Sequence, residues 1–103
     1  MHIKGAGKPE GCKRIGFEAE FAEGLIASIS IWGDFFASPE EAFDLAESQL
    51  TGLAPEALAG AFDRAMAAAG VALFGISGNA LASVVFSALE NRTEGGTRGE
   101  LSV

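Results

Sequence analysis

From Arg14 to Trp32 apolar and polar side chains take turns, and this period of two limits the fold more than any other feature of the chain. Ile15, Phe17, Ala19 and Phe21 fall on one side, and Arg14, Gly16, Glu18 and Glu20 on the other. Alternation of this kind describes a strand with one buried face. Ala22-Glu23-Gly24 is a short connection with a glycine available for positive φ. Beyond it, Leu25, Ala27, Ile29 and Ile31 alternate with Ile26, Ser28, Ser30 and Trp32. The pattern predicts an antiparallel hairpin that buries its odd-numbered residues and leaves Ile26 and Trp32 on the opposite face. A two-stranded sheet is marginal in water, so a third strand, over residues 2–5, or a partner that extends the sheet is expected.

The period then changes to that of helices. Ser38-Pro39-Glu40-Glu41 is a helix start, with Ser38 as cap, Glu41 closing a capping box and Pro39 in the first helical position. Ala42, Phe43, Ala46 and Leu50 form the apolar stripe, Glu40, Asp44, Glu47, Ser48 and Thr51 the solvent side, and Gly52 the stop. A second helix begins near Pro55, carries Leu58, Ala61, Phe62, Ala65 and Met66 inward, and ends at Gly70; Gly60 weakens it by about 1 kcal/mol relative to alanine. Ser77 caps a third, with Leu81, Val84, Val85, Ala88 and Leu89 inward, Phe86 off the stripe and Asn91 as the stop. The fold class expected is α+β, a small antiparallel sheet (the hairpin plus a third strand) packed on three helices. The domain is expected over residues 8–91, with 92–103 as a flexible tail.

Composition narrows function. A chain of 103 residues with a formal charge of −7 does not attract phosphate backbones, which disfavours nucleic acid as a partner. No apolar run approaches the roughly 18–20 residues of a membrane span, and the start has no signal-peptide pattern, so a cytoplasmic location is the expectation. One cysteine and one histidine exclude an intrachain disulfide, a multi-cysteine metal site and a His-based triad. Cys12 beside Lys13 and Arg14 could be a reactive thiol, but no histidine base lies near it in sequence. Gly5-Ala6-Gly7 lacks the strand before it and the helix after it that a phosphate loop needs. Glu18 and Glu20, like Glu40, Glu41, Asp44 and Glu47, read as solvated faces.

What is left is Ile31-Trp32-Gly33-Asp34-Phe35-Phe36, an aromatic-rich run between a strand and a helix. Neighbouring residues of an extended chain point in opposite directions. Either Phe35 and Phe36 only close the core, or one is inward while the other, with Trp32, faces outward as a contact for another protein.

This run, followed by Pro39-Glu40-Glu41, resembles the I-x-G-D-F-F segment of the C-terminal accessory domain of lipoate–protein ligases. Lys8-Pro9-Glu10-Gly11-Cys12-Lys13 is similar to that family's lysine–proline–glycine–lysine approach to the first strand, with Cys12 where the family more often has glycine. Glu47, Leu50 and Gly52 resemble its E-x-x-L-x-G helix end, and residues 75–89 its closing element. The resemblance covers residues 8–90. It implies a small α+β domain, here as a stand-alone subunit, that works beside a catalytic lipoate–protein ligase subunit. That subunit would bind ATP, Mg and lipoate, form lipoyl-adenylate and acylate a lipoyl carrier domain, which this chain would meet only indirectly. The resemblance implies no cofactor and no catalytic residue of its own. Lys13 becomes the candidate nucleotide-facing residue, and Trp32, Gly33, Asp34, Phe35 and Phe36 the candidate partner interface. The alternative is a self-associating interaction module unrelated to lipoate, with Phe86 and Trp32 at a homodimer contact.

Overall fold

The computed structural model describes residues 1–98, and side chains as far as residue 91. Three strands, β1 (His2–Gly7), β2 (Ile15–Ala22) and β3 (Leu25–Gly33), form an antiparallel sheet in the order β1-β2-β3. The third strand expected from the weakness of a lone hairpin is therefore β1, paired from His2↔Glu20 to Gly7↔Ile15. This pairing brings His2–Gly7 into the folded unit, ahead of the boundary expected at residue 8.

The hairpin departs from strict alternation at one place. Phe21 pairs with Ile26 but Glu20 pairs with Ser28, so β3 carries one extra residue there. This bulge turns Ile26 inward and leaves Leu25 and Ala27 exposed, against the expectation that both were buried. Past the bulge the odd residues Ile29 and Ile31 are buried as expected.

A short β4 (Phe36–Ser38) follows, then α1 (Glu40–Ser48). Ser38 is not the helix cap. It closes β4, opposite Ala72, so Pro39 takes the cap position with no side-chain hydrogen bond. Gly52 marks a turn onto the sheet: its N–H donates to the Ile26 carbonyl (2.7 Å), and the Ile26 N–H donates to the Leu53 carbonyl (2.8 Å). A single 3-10 turn, Pro55–Ala57, leads into α2 (Leu58–Ala69), which ends at Gly70 in the left-handed conformation. β5 (Ala72–Phe74) pairs antiparallel with β4. Ser77 then caps α3 (Gly78–Arg98), its Oγ accepting the Ala80 N–H (3.2 Å), while Asp63 of α2 accepts the Gly78 N–H (2.9 Å). α3 continues past Asn91, the expected stop. Of the tail expected over 92–103, residues 99–103 lie outside the described residues.

The helices cover one face of the sheet. α3 packs over β1, where a Cβ on Gly5 or Gly7 would meet Ala88 (3.0 Å) or Val84 (3.5 Å). α1 lies by β3, and α2 packs between α1 and α3. Phe17, Ile15, Ile26, Leu50, Leu58, Phe62, Met66, Leu81 and Val85 are fully buried between the layers. This is the small α+β fold expected, with a two-stranded ribbon added at one end.

One helix residue read as solvent-facing has another task. Glu47 accepts the Ile31 N–H at 2.7 Å, closing part of the β3 edge. Burial pushes its carboxyl above the ordinary 4.5; the Ile31 hydrogen bond opposes the shift and the charge of Asp44 adds to it. A carboxyl that holds its proton more tightly when folded gives stability that is full below 4.5 and is lost as pH rises through the raised value. Glu47→Gln keeps an oxygen to accept from Ile31 and removes this titration. Its stability relative to the parent should therefore rise from acid to neutral pH, modestly because the carboxyl is half solvated. Urea melts across that range check the sign, and a relative stability that falls would be the wrong result.

Candidate partner-binding site

The strand β3, the link Gly33–Phe35 and the ribbon β4–β5 converge at one end of the molecule. The turn into the link is made at Gly33, whose φ of +150° disfavours any side chain, and a Cβ there would run into the Arg14 carbonyl oxygen. That oxygen accepts the Asp34 N–H at 2.9 Å. Asp34 is thereby tied to the start of β2, and the two phenylalanines leave in opposite directions.

Phe35 turns inward, its ring 5.7 Å from that of Phe43 and tilted by 38°. Phe36 turns outward and is 60% exposed. It faces Phe74 across the β4–β5 ribbon, and Phe74 is 66% exposed. Trp32, 48% exposed, lies across Gly16 on the sheet face away from the helices; a Cβ on Gly16 would fall 2.5 Å from its Nε1. Trp32, Phe35, Phe36 and Phe43 line a groove of about 320 Å³ with Glu40 and Asp44 at its rim. Of the two readings of the aromatic run, the geometry matches the second: one phenylalanine turned inward against the core, the other outward, as Trp32 is.

Lys13 belongs to the same end. Its N–H donates to the Gly75 carbonyl (2.9 Å), which fastens the approach to β2 onto the end of β5. Its Nζ sits 5.9 Å from the Phe74 ring centroid, a distance at which a cation is attracted to the ring face. The structure thus gathers Lys13, Trp32, Gly33, Asp34, Phe35 and Phe36 at one end, and adds Phe74, which the sequence reading missed. The signal for it was Val71-Ala72-Leu73-Phe74 between two glycines, a run of strand type too short to show a period.

The other candidates stand apart. Cys12 is half buried in a turn, its N–H donating to the Pro9 carbonyl (2.9 Å). The His2 ring nitrogens lie 2.7 Å from Glu18 and 3.2 Å from Glu20 on the outer sheet face. Phe86 is an exposed residue of α3, the helix over the inner sheet face, whereas Trp32 is on the outer face. Among the described residues no group of three or more His, Cys, Asp or Glu could hold a metal ion. None of their helices is long and apolar enough to cross a membrane. The site offers apolar contact flanked by the charges of Lys13, Glu40 and Asp44.

No protein-family model matches the sequence, and no curated protein matches it. Among solved structures, the fold is similar to a chain in the archaeal lipoylation system of Thermoplasma acidophilum, a bi-partite lipoate protein ligase with its E2 lipoyl domain. The TM-score is 0.58 at 22% identity, over 79% of this chain and 88% of that one. The two chains share a fold and are close in length.

Proposed function

We propose that this chain is the accessory subunit of a two-component lipoate–protein ligase, docking on the catalytic subunit and supporting ATP-dependent formation of lipoyl-adenylate. The observation that carries the reading is a coincidence of two independent facts. The aromatic run that resembles the accessory-domain signature forms an exposed patch, and 79% of the chain shares its fold with a chain from a bi-partite lipoylation system.

In this reading Trp32 and Phe36 make the contact, with Phe74 extending it. Phe35 anchors the segment on Phe43, while Gly33 and Asp34 set its direction. Half-exposed aromatic side chains on a rigid frame are what interface hot spots are made of. ATP, Mg and lipoate are held by the catalytic subunit in this reading. Lys13 stands at the rim of the patch, where docking would bring its ammonium toward nucleotide phosphate. The lipoyl carrier domain is met only through the catalytic subunit.

The test is adenylate formation by the catalytic subunit with ATP, Mg and lipoate, with and without this chain. The rate is expected to rise until the two subunits are equimolar. Phe36→Ala and Trp32→Ala should weaken the complex tenfold or more, the effect of losing a hot-spot aromatic, while leaving the fold intact because neither ring belongs to the buried core. Lys13→Ala should lower the rate at saturation without weakening docking. An adenylation rate indifferent to this chain rejects the proposal, and a stable homodimer that ignores the ligase would favour the self-associating module instead.

A further inference from the structure

The two edges of the main sheet are treated differently. On β3 the outward groups of Ile26 are bonded to Gly52 and Leu53, and the Ile31 N–H is bonded to Glu47. On β1 nothing comparable occurs. Met1 and Phe21 exchange both backbone hydrogen bonds, at 2.7 and 2.8 Å. The alternation of an antiparallel ladder then directs Ile3, Gly5 and Gly7 toward β2, and the N–H and C=O of His2, Lys4 and Ala6 toward the open edge. Among the described residues none of these outward backbone groups has a partner.

Beside that edge runs a groove between β1 and α3. One part, of about 360 Å³, is lined by Lys4, Ala6, Ser87, Ala88 and Asn91 among others; the adjoining part shares Ala6, Val84 and Ser87 and reaches Lys8. Among the described residues none that lines either part is acidic, in a chain with 14 acidic and 7 basic residues. Lys4 stands opposite Glu18 in the ladder but forms no ion pair with it; Glu18 and Glu20 both contact His2.

The geometry points to β1 as a strand-addition site for an extended acidic segment of another protein. Such a segment would pair with His2, Lys4 and Ala6, set carboxylates beside Lys4, and lay small apolar side chains against Val84 and Ala88. A second copy of this chain fits poorly: the antiparallel register that pairs all three outward residues, His2 with Ala6 and Lys4 with Lys4, sets like charges directly opposite, and they repel. The site lies on the edge of the main sheet opposite the strand that carries Trp32 and does not depend on the ligase reading.

The test uses the whole chain, isotope-labelled, and two capped six-residue peptides, one alternating glutamate with valine and one alternating lysine with valine. The acidic peptide is expected to slow amide exchange at Lys4 and Ala6 at least tenfold, with little change at Ile3 and Gly5. It should bind at least tenfold tighter than the basic one. Lys4→Pro deletes an outward donor without touching the β2 ladder and should abolish binding. Lys4→Glu keeps the donor and should reverse the peptide preference, which separates loss of binding from loss of fold. No protection by the acidic peptide, equal binding of both peptides, or protection that grows with the concentration of the chain alone would each overturn the assignment.

Discussion

Gly33→Ala is expected to cost about 2–6 kcal/mol, from roughly 1–3 for an L-residue held at a forbidden φ and a similar amount for overlap with backbone. At φ +150° a side chain is strained whatever the space, and here the Cβ would meet the Arg14 carbonyl as well. That carbonyl also accepts the Asp34 N–H, so relief of the clash breaks a hydrogen bond. Against a total stability of about 5–15 kcal/mol, the loss is large. Gly24 is the internal control. Its φ is +81°, and a Cβ added there would have nothing within 4 Å, so Gly24→Ala should cost only about 1 kcal/mol. Denaturant midpoints of the two variants measure the contrast. If they fall together, the backbone at Gly33 is not what aims Phe35 and Phe36.

The second large effect is at Phe62. Its side chain is fully buried on α2, the helix that packs against both α1 and α3. Phe62→Ala removes apolar contacts and leaves a cavity that two flanking helices cannot both close, at a cost of about 3–5 kcal/mol. Phe62→Leu keeps most of the volume and should cost less than about 1.5 kcal/mol. Thermal melts of the pair check this. A small loss in Phe62→Ala would mean that α2 is docked by something other than its apolar stripe.

The sequence made the long periodic elements legible because burial on one face writes itself into side-chain order. β2, α2 and the inward stripe of α3 are such cases, and β1 followed from the instability of a bare hairpin. The opposed directions of Phe35 and Phe36 were open to the same reasoning, since an extended link leaves adjacent side chains little choice. β4 and β5 were not legible. Three residues carry no period, and Ser38 looked like a cap because strand and helix abut there. Nor was the bulge at Ile26, where three successive apolar residues, Leu25, Ile26 and Ala27, give no sign of which one is extra. Glu47 looked solvated because a helix wheel does not show that a strand edge lies beside it. Phe74 joined the candidate site only through the pairing of two segments far apart in the chain.

The tight turn at Glu23–Gly24 has a practical bearing. It lies at the far end of β3 from Gly33, and nine residues at about 3.3 Å each put the two ends roughly 25–30 Å apart. A fluorophore attached at Glu23 would sit clear of the aromatic end yet on the same stiff rod. Energy transfer from it to a dye on a docked protein would then act as a ruler for the orientation of the assembly.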